Sequence, residues 1–238
     1  MLFTTSGARR GAAAFVSAAV LWTATSALAD QATISYGGKL YDKWYKVIKA
    51  PKPTGTHVSW PASNTKKSGD VTYRCKSCHG WDYLGKDGAY ATGSYQTGII
   101  GIGKYAGGKI ADVIAVVQDK AHGFAGQMAD TDLTALATFV TQGQIDMSPY
   151  IDRQSKKFVG DVTRGKEYYG TLCLNCHGAD GKLPKDIEQL GKLSTGNPWE
   201  AMHKILNGQP GENMPALRAL PVQVSADIGV YLQTLPVD

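Results

Sequence analysis

The sequence predicts an all-α protein of two helical domains in tandem, the first carrying an N-terminal extension that is part helix and part extended chain. Two observations carry this expectation. The stretch RCKSCHG at 74–80 recurs as LCLNCHG at 172–178, and a spacing of 98 residues marks an internal repeat. After each copy, apolar residues return at helical spacing, in KIADVIAVV and DTDLTALATFV after the first and in NPWEAMHKILNG and SADIGVYLQTL after the second. The expected layout is a signal peptide at 1–29, the extension at 30–67, a first domain at 68–145, a linker at 146–159 and a second domain at 160–238.

The N-terminal stretch has the layout of a secretory signal. Arg9 and Arg10 form its positive region, Ala12 to Trp22 its apolar region, and Ala27-Leu28-Ala29 a small-residue cleavage site, so Asp30 begins the mature chain. The apolar run is too short for a membrane span, and no later segment is apolar for long enough. A periplasmic location is therefore expected. Losing Arg9 and Arg10 lowers the formal charge from +5 to +3, which is not the charge of a nucleic-acid binder. Lysines 39, 43, 46, 49, 52, 66 and 67 can steer the protein towards an acidic partner or form an ordinary solvated face.

In the extension, residues 36–50 read as an amphipathic helix with Leu40, Trp44, Val47 and Ile48 on one face. The segment PKPTGTHVSWPASNT then runs extended, and its His57 is expected to face solvent. The helix has a reason to dock on the first domain. The Asp-Val-Thr at 161–163 lies twelve residues before Cys173, whereas the one at 70–72 lies only five before Cys75. The first domain therefore lacks two turns of opening helix, and the extension can cover the gap.

The four cysteines fall in two CxxCH motifs, Cys75 and Cys78 with His79, and Cys173 and Cys176 with His177. Cysteines in an exported chain ordinarily pair as disulfides. Two thiols at this spacing reach the two vinyl groups on one edge of a porphyrin, and the next residue then lies beneath the iron as its proximal imidazole. A zinc ribbon or a redox CxxC does not require a histidine directly after both pairs. Two covalently bound haem c groups are expected, leaving no cysteine over for a disulfide or for catalysis.

The second domain reads as a helix over 161–172, the haem motif, a helix from Pro198 capped by Asn197, the loop ENMPALRAL and a closing helix. Its CHG, its NMP loop and its closing helix with Tyr231 and Leu232 resemble the class I cytochrome c family, over nearly all of 160–238. The resemblance implies a helical shell around one haem, with the methionine of the loop before the last helix as distal ligand. Met214 matches that position. Met202 is explained by its helix periodicity, and the adjacent His203 is expected at the surface or the haem edge. The whole chain resembles a tandem dihaem member of the family.

The first domain repeats the parts with departures, its last helix starting at an Asp130 or Thr131 cap. Two residues compete for its distal position, His122 and Met128. Pairing LATFV (136–140) with IGVYL (228–232) sets an offset of 92, which carries Met214 onto His122 and Leu220 onto Met128. His122 is the preferred ligand, with a shorter-loop arrangement using Met128 as the alternative.

The function expected is that of an exported dihaem electron carrier between periplasmic or membrane redox partners, without catalysis of its own. Haem 1 (His79, His122) is the lower-potential centre and haem 2 (His177, Met214) the higher, because a thioether favours Fe(II) more than an imidazole does. The alternatives are a haem subunit of a larger periplasmic dehydrogenase, or a peroxidase-type dihaem enzyme should haem 1 keep an open position.

Overall fold

The computed structural model describes residues 1–2 and 15–238, with side chains of 15–30 excepted. The expected signal peptide at 1–29 thus lies outside the described residues in all but part of its backbone. The described elements are α1 (Phe15–Val47), α2 (Cys75–His79), α3 (Ile110–Val117), α4 (Asp130–Gln142), β1 (Ile151–Asp152), β2 (Lys157–Phe158), α5 (Val162–Leu172), α6 (Leu174–His177), α7 (Leu190–Gly196), α8 (Pro198–Asn207) and α9 (Val222–Leu232). The protein is helix-rich, and β1 and β2 form one short antiparallel pair.

One packing motif occurs twice. Helix α5 crosses α9 at Gly165, where a Cβ would overlap the carbonyl of Asp227. Helix α1 crosses α4 at Gly37, where a Cβ would overlap the carbonyl of Ala135. In each case the missing side chain lets two backbones meet. Four residues on, Tyr169 donates its hydroxyl to the Gly178 carbonyl at 2.6 Å, and Tyr41 donates to the Gly80 carbonyl at 2.7 Å. Tyr169 packs on Tyr231 at 5.2 Å between ring centres, and Tyr41 on Phe139 at 5.3 Å. Ala135 and Phe139 stand 92 positions before Asp227 and Tyr231, the same offset read from the sequence. Helix α1 therefore supplies the opening helix that the 70–72 segment lacks. Leu40 and Tyr41 are fully buried and Trp44 and Tyr45 nearly so, each large side chain contributing roughly 1.5–3 kcal/mol of apolar burial. The helix kinks at Lys43, whose backbone is not helical.

The two halves share one core. Trp199, Met202 and Leu206 of α8 join the cluster that holds Trp44, Trp81, Tyr83 and Phe139. His203 was expected at the surface or haem edge, but it is fully buried between them. Its Nε2 donates to the Gly38 carbonyl and its Nδ1 accepts from the Tyr83 hydroxyl, both at 2.9 Å. Asp42 of α1, also buried, pairs with Arg74 and with Lys204 of α8, the latter at 2.8 Å. Arg218 donates to Asn207 and to the Gly143 carbonyl at the end of α4.

One local expectation is corrected, and two features go beyond the sequence reading. Helix α4 begins at Asp130, so Ala129 occupies the cap position and no side chain caps it. The 146–159 segment is packed: Met147, Ile151 and Phe158 are buried, and Phe158 lies against Gly229 of α9. Helix α7 was not read from the sequence; its Gly191 sits against the backbone of Leu235 and Pro236.

Candidate haem sites

The first motif occupies α2, a single turn that places Cys75 and Cys78 one above the other. Both line a cavity of about 320 Å3 together with His79, His122, Val113, Val117, Phe124, Leu136 and Val140. None of the four cysteines forms a disulfide. Burial pushes the thiols of Cys75 and Cys78 up to about 12, which disfavours thiolate and suits a sulfur that ends uncharged in a thioether.

His79 and His122 face each other across this cavity. Their rings are within 16° of parallel and their centres are 6.3 Å apart, too far for contact. An imidazole nitrogen lies about 2 Å from a bound metal, and its ring centre about 1.1 Å further, so two rings on opposite sides of one ion stand about 6 Å apart. The spacing is compatible with two imidazoles holding one ion between them. Each ring is also oriented from behind. His79 Nδ1 donates to the Ile100 carbonyl at 2.7 Å, and His122 Nδ1 to Asp119 Oδ1 at 3.1 Å. With both Nδ1 atoms occupied, the Nε2 lone pairs are free to point inward. Burial holds His79 below its ordinary pKa, opposed by the Ile100 carbonyl and reinforced by His122, which keeps it neutral as a ligand must be. An apolar slot, two thiols on one edge and two opposed imidazoles fit a haem.

Met128 stands elsewhere in the arrangement. It is buried in the main core and does not line the cavity. His57, expected to face solvent, is buried and lines the cavity instead.

The second motif follows α5. Cys173 packs against the buried cluster of Tyr169, Ile205, Ile228, Leu232 and Leu235, and Cys176 is exposed. His177 Nδ1 donates to the Leu183 carbonyl at 3.0 Å, repeating the His79 arrangement. Leu172, Leu174 and Leu183 present exposed apolar side chains around the motif, surface that a flat apolar ring would cover. Met214 is half-buried in the loop between α8 and α9. That loop is tied to the end of α8 by Leu217 N–H donating to the Ile205 carbonyl at 3.0 Å and by the close approach of the Met214 carbonyl to Gly208. The two thiols, the oriented His177 and the exposed leucines around them fit a second haem.

Sequence reasoning missed the supporting groups. Asp119 was legible as an acid three residues before His122 at the exit of α3. His57 and the Ile100 carbonyl had no local signal, because both reach the site from distant chain. Lys76, between the two cysteines, is also buried, under the rings of Trp81 and Tyr95 at 4.9 and 4.3 Å.

Residues 160–232 match the family model described as cytochrome c oxidase, cbb3-type, subunit III, a match over less than a third of the chain. That stretch is a cytochrome c domain, and such a domain implies covalently bound haem c, a role in haem-based electron transfer, and redox partners. No curated protein matches the chain. Among the described residues, no helix is long and apolar enough to cross a membrane.

Proposed function

We propose that the protein is an exported dihaem c-type cytochrome that relays electrons between periplasmic or membrane redox partners. Cys75 and Cys78 would hold the first haem and Cys173 and Cys176 the second, with His79 and His122 to bind the iron of one and His177 and Met214 that of the other. The observation that carries this reading is the opposed, near-parallel pair of His79 and His122 over a motif whose copy lies in a cytochrome c domain. A bound haem supplies an iron that alternates between Fe(III) and Fe(II).

The chain's own residues then do three things. His79 and His122 would hold the iron of the first haem from its two sides, an arrangement that would leave no open position for a substrate. Ile100 and Asp119 fix the two imidazoles with Nε2 inward. The unequal ligand pairs would set the first site below the second in potential, since a thioether favours Fe(II) more than an imidazole does.

The recurrence of the Gly–Tyr–aromatic packing in both halves supports a tandem origin of the two domains. The family match, to a subunit of an oxidase, favours a second reading in which this chain is a haem subunit of a larger oxidoreductase; native co-purification with such a complex would distinguish it. The primary test is the intact mass of the exported protein. The expected mass is that of residues 30–238 plus two haems. A mass with one haem, or with residues 1–29 retained, would overturn the corresponding part.

A further inference from the structure

We propose that His57, in the extension, is a positioning residue that holds the distal ligand of the first haem in place; the inference rests on the reading of His122 as that ligand. His57 lies 65 residues before His122 and belongs to no repeat element. Its ring is nevertheless buried against the ligand loop.

The hydrogen bonds around the ring fix its tautomer. The Ser59 N–H donates to Nδ1 at 3.1 Å, so the ring proton sits on Nε2. From there it donates to the backbone carbonyl of His122 at 2.9 Å. Ser59 Oγ donates to the preceding carbonyl, that of Ala121. Two consecutive carbonyls of the ligand loop are thus held by one turn of the extension. The turn is itself anchored: the His57 N–H donates to Thr72 Oγ1 at 2.9 Å, and Thr72 Oγ1 donates to the Gly69 carbonyl at 2.6 Å. The His57 ring stacks on Phe124 at 5.6 Å and meets Tyr73 edge-on at 4.9 Å, so it is braced on both sides.

The ligand loop needs this clamp. Ala121 and Gly123 on either side of His122 are exposed, and Gly123 and Gly126 adopt positive φ. Within the loop, Asp119 Oδ1 accepts from the His122 N–H at 2.8 Å and from its Nδ1, and the Phe124 N–H donates to the Val117 carbonyl at 3.3 Å, with Phe124 buried in the core. Asp119 is itself exposed and lies on the same loop, so it orients the ring without fixing the loop to the body of the protein. Phe124 fixes the loop two residues further on, and His57 and Ser59 hold it at the Ala121 and His122 carbonyls themselves.

The test replaces His57 in the haem-loaded protein. His57→Phe keeps an aromatic ring against Phe124 and Tyr73 but removes the donor; His57→Gln retains an N–H donor. In His57→Phe, ferrous haem 1 is expected to bind carbon monoxide about tenfold faster than the wild type, the change that loss of one buried hydrogen bond brings. Ferric haem 1 should gain high-spin signal, haem 2 should be unchanged, and His57→Gln should return both readouts towards wild type. A low-spin, carbon-monoxide-inert His57→Phe with an unchanged haem 1 potential overturns the inference. Should His57→Phe not accumulate folded, His57→Asn decides, since its shorter amide places no donor where Nε2 stood: faster carbon monoxide binding supports the clamp and wild-type binding overturns it. A wild type whose haem 1 lacks a bis-imidazole signature defeats the ligand assignment itself, a separate outcome from a bis-imidazole wild type that His57→Phe leaves intact.

Discussion

Replacing Gly165 by alanine tests whether the α5–α9 crossing holds the second domain together. A Cβ at 165 would overlap the Asp227 carbonyl and stand 3.1 Å from the Cβ of Tyr231. Restoring ordinary separations of about 3.5–4 Å from the overlap at the Asp227 carbonyl oxygen requires the helices to part by on the order of 2 Å. That parting loosens the Tyr169–Tyr231 contact and the Tyr169 bond to the Gly178 carbonyl beside His177. Overpacking of this kind costs about 3 kcal/mol, and the better helix propensity of alanine returns about 1 kcal/mol. Gly165→Ala should therefore lose about 2 kcal/mol. Gly170→Ala is the control on the same helix, since a Cβ there meets nothing within 4 Å. It should gain about 0.5–1 kcal/mol from propensity and a stiffer unfolded chain. Urea unfolding of the holoprotein followed by circular dichroism would show the two midpoints moving in opposite directions. Gly37→Ala should behave like Gly165→Ala and disturb haem 1 rather than haem 2. A Gly165→Ala protein as stable as wild type would refute the close-crossing argument.

Other outcomes follow from the buried polar groups. Burial pushes His203 down to about 3, against the raising influence of Asp42 and the Gly38 carbonyl. The unfolded chain takes up a proton below about 6.5 and the folded one does not, so the stability His203 contributes is complete above that pH. It is lost as pH falls towards 3, at up to about 1.4 kcal/mol per pH unit. In His203→Gln, unfolding free energies measured from pH 7 to pH 4 should fall less steeply than in wild type. Burial would raise the Asp42 carboxyl, but Lys204 and Arg74 outweigh it and hold the group well below the usual carboxylate range. Arg74→Met leaves Asp42 with Lys204 alone, and denaturant titration should show a loss of about 3 kcal/mol.

Much of this was legible in the chain. The CxxCH motifs carry their chemistry in four or five adjacent residues, and the helices of both halves follow from apolar spacing. The offset of 92 was set on five closing-helix residues, and it also pairs Ala135 with Asp227 at the two glycine crossings. Leu40 and Trp44 were readable as a docking face because helix α1 is amphipathic at that end. What stayed hidden depends on distant chain. His57 sits in a Pro-rich extended segment whose local pattern suggests solvent, and only the fold brings it to His122. His203 looked like a surface residue because a lone histidine on a helix carries no sign of what packs on it. Tyr83 and Gly38, which satisfy its two nitrogens, lie more than a hundred residues away.

The most direct test of unequal ligation at the two haems is the near-infrared spectrum of the oxidised protein, followed while the potential is stepped downward. One Fe(III)–methionine band per two haems is expected, disappearing with the higher-potential centre and lost in Met214→His, while the lower-potential centre shows none. Two such bands, or a single band that survives Met214→His and vanishes in Met128→Leu, would contradict the assignment of His122 and Met214.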